Sequence, residues 1–176
     1  MFLDIHELER QPLSLDQVLP PGRPGGAKGI DFGEDVWQVE PLIVHGSAQL
    51  LAGELRLRGD LKTEVEVPCA RCLERTRKPV AMDFDLFYRS VQTIAREEEV
   101  EIKGDDLEIG FFHGDGLLLE DVLCEQILLA LPMKSICRPD CAGLCLQCGK
   151  NLNLGKCGCA PSPSDRRWAP LAGLKR

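Results

Sequence analysis

Six of the nine cysteines in this 176-residue chain crowd into one stretch, Cys137-x3-Cys141-x3-Cys145-x2-Cys148-x8-Cys157-x-Cys159. Thiolates at such short spacing are ligands for a soft cation. Cys145-x2-Cys148-Gly149 describes a tight turn that aims two sulfurs at one ion, with the glycine relieving backbone crowding. A tetrahedron needs two more sulfurs. Cys157 and Cys159 are the preferred pair, with Cys137 and Cys141 as alternates. Four thiolates leave no coordination position for water, so the chemistry expected is a structural zinc site. Iron–sulfur ligation is the competing reading, because four cysteines serve both metals. The stretch holds too little apolar area to order itself by burial, and a structural metal supplies folding free energy on the order of 10 kcal/mol.

Cys69-x2-Cys72 stands apart, directly after a strand pattern, as a possible second thiol pair. It reads as a tight turn with two small buried thiols, as a redox dithiol, or as further ligands lying against the distant cluster. Cys124 is expected to be a structural free thiol on the charged side of a helix. His6, His45 and His113 lie far apart without metal-ligand spacing. No Ser/His/Asp arrangement, nucleotide-binding loop or paired-carboxylate context accompanies them, so neither an enzyme nor a small-molecule substrate is expected.

The odd cysteine count and the acidic start from Met1 to Glu9 point to a reducing cytoplasm, where clustered cysteines bind metal or do redox chemistry. No apolar run approaches the roughly 20 residues that cross a membrane. Net charge is −7. It is divided unevenly: from Met133 to Arg176 eight Lys and Arg face two Asp, a surplus of +6 that leaves −13 on the remainder. Such asymmetry suits a tail that meets an anionic partner and a body that stays solvated or meets a basic one.

The elements that must position the cysteines are mostly strands. Leu55, Leu57, Leu61, Val65 and Val67 alternate with charged residues, and Val80, Met82, Phe84, Leu86 and Tyr88 continue the period, which predicts half-buried antiparallel strands between Val36 and Ser90. Gly46, Gly53 and Gly59–Asp60 are expected at turns or bulges. Ser14 to Leu19 suggests a helical turn, and 20–29, rich in Pro and Gly, a linker. Short strands are expected around Val100–Ile102 and Leu107–Phe112. Between Leu119 and Leu131 the period becomes helical: Leu119, Val122, Leu123, Ile127, Ala130 and Leu131 share a face, with Asp115 a candidate N-cap and Pro132 the stop. The expected fold is α+β, a mainly antiparallel sheet with one amphipathic covering helix and a C-terminal cluster like a zinc knuckle. The expected units are 1–35 (an N-terminal segment and loop), 36–132 (a β-rich core) and 133–176 (a metal-binding tail).

Four stretches make the chain recognisable: Pro68-Cys69-Ala-Arg71-Cys72-Leu73-Glu74, then Glu125 to Pro132, then Cys141-Ala-Gly143-Leu144-Cys145-Leu-Gln-Cys148-Gly149-Lys-Asn151-Leu152-Asn153, and Asp165-Arg-Arg167-Trp168. From about Leu42 onward the chain resembles the YceD family of large ribosomal RNA subunit accumulation proteins. The resemblance implies a noncatalytic part in accumulation of large-subunit ribosomal RNA, with ribosomal RNA, a pre-ribosomal particle or a basic ribosomal protein as partner. Arg166 stands where proline is commoner in that family. Arg138, Lys150, Lys156, Arg166 and Arg167, with Lys134, then become candidate RNA contacts, and Trp168 can stack on an unpaired base. Four thiolates on one Zn²⁺ add −2, leaving the tail at about +4. The alternative is a redox-switched zinc protein whose thiolates release the metal on oxidation and expose a binding surface.

Overall fold

The computed structural model describes residues 1–22, 30–91, 109–159 and 167. Its centre is a hairpin of two long strands, β6 (Glu54–Pro68) and β7 (Arg75–Ser90), preceded by β1 (Phe2–Asp4), α1 (Ile5–Leu8), β2 (Leu13–Ser14), β3 (Gln17–Leu19), β4 (Trp37–Gln38) and β5 (Leu42–Leu51). After it come β8 (Ile109–Phe112), β9 (Gly116–Leu118) and α2 (Leu119–Ala130). Seven strands form one sheet in the order β2-β5-β6-β7-β8, with β3 also pairing β5 and β4 pairing β6. β1 and β9 form a separate antiparallel pair. Every pairing is antiparallel except β7 with β8, so the sheet is mixed and the class is α+β.

Alternation fixes which face of the sheet is covered. Leu55, Leu57, Leu61, Val65 and Val67 of β6 are buried with Leu42, Val44 and Ala48 of β5 and Val80 and Phe84 of β7. Leu119, Val122, Leu123 and Ile127 of α2 join the same core, so the helix lays its apolar stripe on the sheet. Ala130 of that stripe is exposed. On the other face, Arg56 pairs with Asp85, Arg77 with Glu66 and Arg89 with Glu54. These cross-strand pairs suit register more than stability.

Several local expectations change. Ser14 to Leu19 is not a helical turn: β2 and β3 pair antiparallel with β5, an outcome decided by tertiary pairing. α1 instead lies at Ile5–Leu8, where the Asp4 side chain accepts from the His6 N–H at 2.8 Å. Asp115 does not cap α2, because β9 intervenes and the helix starts after Leu118 without a side-chain cap. Val100–Ile102, like 23–29 of the expected linker, lies outside the described residues.

Gly53 does turn the chain between β5 and β6, with φ values of 52° at Ala52 and 86° at Gly53. Gly46 and Gly59 do not. They sit opposite one another in mid-strand. A Cβ on Gly59 would overlap the His45 carbonyl oxygen and stand 2.8 Å from the Gly46 Cα. Glycine is therefore required here by close backbone approach. Gly59→Ala is expected to destabilise the protein by about 1–3 kcal/mol in urea unfolding, whereas Ser47→Ala, on the exposed face beside it, should shift stability by less than about 0.5 kcal/mol.

Candidate metal centre

The β6–β7 hairpin delivers the first two cysteines. Its connection, 69–74, carries Cys69 and Cys72, and both are buried. The Cys69 N–H donates to the Glu74 carbonyl at 2.9 Å, and the Leu73 N–H donates back to the Cys69 carbonyl at 3.0 Å. The loop at Cys145 repeats this pattern. There the Cys145 N–H donates to Lys150 at 2.9 Å, and the Gly149 N–H donates to Cys145 at 2.9 Å. The residue after the second cysteine has positive φ in both, 62° at Leu73 and 71° at Gly149. Two Cys-x2-Cys loops thus share one backbone form, each presenting its sulfurs to the same side.

Each loop meets one further pair of cysteines. Cys69, Cys72, Cys137 and Cys141 bring their sulfurs within 4.8 Å of one another, and so do Cys145, Cys148, Cys157 and Cys159. Either group can hold a metal ion. Cys137 and Cys141, the alternates for the second group, stand instead with Cys69 and Cys72. The inner group is buried except for the half-buried Cys137; in the outer one Cys148 and Cys159 are exposed. Cys124 belongs to neither group and directs its thiol to the Asp31 carbonyl at 3.5 Å.

Hydrogen bonds join the two loops into one body. Ala70 donates to Ser135 at 2.7 Å, and Leu144 donates to Arg71 at 3.1 Å. The Arg71 guanidinium binds the carbonyls of Cys141 at 3.0 Å and Pro139 at 3.3 Å. Asn151 reaches Glu74 at 2.9 Å. Asn153 accepts from the Ala142 N–H at 2.8 Å and from Arg138 at 2.9 Å, while its amide donates to the Cys141 sulfur at 3.3 Å.

Crowding separates the acidities of the sulfurs. N–H groups of Cys148 and Gln147 bring Cys145 down to about 6, while the neighbouring Cys148 pushes Cys159 up to about 12. The Arg71 N–H likewise leads a set of donors that lowers Cys69 to about 6. One thiolate forms readily and the next is opposed by it; a divalent cation relieves that opposition.

Of the candidate RNA contacts, Arg138, Lys150, Lys156 and Arg167 are exposed. Arg138 also faces Asp140 at 3.6 Å, and the Lys150 ammonium donates to the Lys156 carbonyl at 3.3 Å. Arg166 and Trp168 lie outside the described residues. Sequence reasoning offered Cys69 and Cys72 as further ligands against the distant cluster without assigning them Cys137 and Cys141 as partners, and it missed the roles of Arg71, Glu74, Asn151 and Asn153 between the loops. The available signal was the Cys-x2-Cys spacing repeated at 69 and 145, with two further pairs to complete it; Leu73, in the position of Gly149, hides the likeness.

Residues 57–175 match the family described as "Large ribosomal RNA subunit accumulation protein YceD". A chloroplastic protein of Arabidopsis thaliana named as a YCED homolog is 28% identical over 151 residues, covering 69% of this chain and 44% of the relative. The maize counterpart is 27% identical over 157 residues, covering 76% of this chain and 53% of the relative. An uncharacterized protein of Mycobacterium tuberculosis is 36% identical over 108 residues, covering 60% of this chain and 48% of the relative. The chain thus spans about half the length of the curated relatives it matches. No solved structure matches it.

Leu73 is 64% exposed, so its side chain gains little from burial while its backbone stays left-handed. That conformation costs a non-glycine residue about 1–2 kcal/mol. Leu73→Gly is therefore expected to stabilise the protein by about 0.5–1 kcal/mol after the entropy of a freer unfolded chain is subtracted. Gly149→Ala should destabilise it by about 1 kcal/mol. Chemical unfolding of both variants measures the difference in sign.

Proposed function

The chain belongs to the YceD family, and on that membership we propose that it is a noncatalytic factor promoting accumulation of large-subunit ribosomal RNA and biogenesis of the large ribosomal subunit. The observation that carries the reading is the family match over 57–175, which takes in both cysteine groups and the basic tail. A structural zinc at Cys145, Cys148, Cys157 and Cys159 gives that tail a fixed form, and four thiolates close its coordination sphere. Arg138, Lys150 and Lys156 then stand on a rigid support as phosphate contacts, with Arg166, Arg167 and Trp168 following in sequence. Ribosomal RNA within a pre-ribosomal particle is the partner proposed. A basic ribosomal protein on the acidic body is the competing one, and it leaves the tail lysines without a binding role.

The test is depletion of the protein followed by sedimentation of ribosomal particles. Large-subunit RNA and free large subunits should fall, and re-expression of the chain should restore them, while Lys150→Glu with Lys156→Glu should not. Unchanged large-subunit RNA on depletion contradicts the role; full rescue by the charge-reversed chain contradicts direct RNA contact.

The exposure of Cys148 and Cys159 supports a second reading, a redox-switched zinc protein in which oxidation of these thiolates frees the metal and remodels a binding surface. Under that reading peroxide releases zinc in step with thiol loss, measured with a colorimetric chelator. Zinc that stays bound after Cys124 is oxidised would reject it.

A further inference from the structure

The outer cysteine group accounts for the tail alone, and the inner group calls for a different account. We propose that Cys69, Cys72, Cys137 and Cys141 bind a second tetrahedral divalent ion of the zinc type, which fastens the segment following α2 to the end of the β6–β7 hairpin. This goes beyond the ribosomal role and does not depend on it.

Distances carry the first part of the argument. The Cys69 and Cys141 sulfurs are 3.9 Å apart and those of Cys72 and Cys137 are 3.7 Å apart. Zinc–sulfur bonds of about 2.3 Å in a tetrahedron place the sulfurs ~3.8 Å from one another. A disulfide would bring a pair to about 2.05 Å. Both close pairs join the hairpin loop to the later segment, across 72 and 65 residues of chain, and all four sulfurs lie within 4.8 Å of one another. That arrangement is one four-cornered site.

The surroundings of the sulfurs carry the second part. The N–H groups of Arg71 and Cys137 both point at the Cys69 sulfur at 3.4 Å, and the Asn153 amide points at the Cys141 sulfur at 3.3 Å. Donors converging on sulfur stabilise thiolate ligands and orient them. Buried thiolates also need a positive partner. Arg71, the adjacent cation, directs its guanidinium to the carbonyls of Pro139 and Cys141. An ion among the four sulfurs meets the need.

Packing alone does not explain the arrangement. Among the described residues, only Ile136 and Leu144 add partly buried apolar carbon around the four sulfurs, a cluster too small to hold two distant segments together. The Cys69 loop nevertheless keeps Leu73 at a φ of 62°, the same form that Gly149 gives the outer loop. A loop that adopts this conformation without glycine is held in it by something stronger than a few van der Waals contacts.

The experiment is native mass spectrometry of the freshly purified full chain, with elemental analysis of the same sample. Two zinc ions per chain are expected. Cys72→Ser and Cys137→Ser should each reduce the ratio from two to one, and Cys148→Ser should do so independently, so that each inner variant combined with it holds none. A ratio of one in the wild-type chain that Cys148→Ser abolishes would overturn the inner site, as would iron in its place. A ratio unaffected by Cys148→Ser but lowered by Cys72→Ser would overturn the outer zinc and leave this site standing. Should the inner variants fail to fold, cobalt titration of the metal-free wild-type chain decides: two equivalents of tetrathiolate absorption support the site, and saturation at one equivalent refutes it.

Discussion

Four sulfurs held within 4.8 Å of one another repel as soon as more than one is ionised, and the chain builds that situation twice. Without a cation the neighbours of the first thiolate keep their protons, as the rise of Cys159 to about 12 shows; a positive charge at the centre would let all four ionise. On the proposed metal sites, this electrostatic constraint accounts for a segment with little apolar area adopting one conformation: each cysteine added to a common ion would fix the backbone that carries it. It also explains the attached hydrogen bonds. N–H groups of Arg71, Cys137 and Asn153 turn toward sulfur because sulfur is where the negative charge collects.

The rest of the molecule serves as a platform for that chemistry. β6 and β7 are the longest strands, and their register runs unbroken from Leu55 opposite Tyr88 to Pro68 opposite Arg75, which carries the connecting loop to one end of the sheet. α2, packed on the same core, brings the chain back so that Ser135 receives the Ala70 N–H. From there Arg71, Glu74, Asn151 and Asn153 couple the inner cysteine group to the outer one. Arg138, Lys150 and Lys156, exposed on this hydrogen-bonded body, are thereby positioned relative to the sheet.

The sequence made the sheet legible where one face alone is buried. Leu55, Leu57, Leu61, Val65 and Val67 advertise their environment by alternation, and the stripe from Leu119 to Ile127 does so at helical period. Legibility failed where a tertiary partner decides the outcome. Gln17–Leu19 is a strand because β5 lies beside it, and Gly46 and Gly59 are small because they face each other rather than because the chain turns there. Of the cysteines, the clustering of Cys145, Cys148, Cys157 and Cys159 could be read locally, since all four thiols fall within one short stretch. The inner group could not be read this way: its halves lie on opposite sides of the hairpin's second strand and the helix, and Leu73 conceals that the loop at Cys69 has the form of the loop at Cys145.

Metal-dependent order in the tail is the central claim, and amide hydrogen exchange on the full chain, with and without prior removal of metal by a chelator under reducing conditions, tests it most directly. The account predicts that amides between 135 and 159 lose their protection on metal removal while those of β5, β6 and β7 keep theirs. Protection in 135–159 that survives in demonstrably metal-free protein would contradict it.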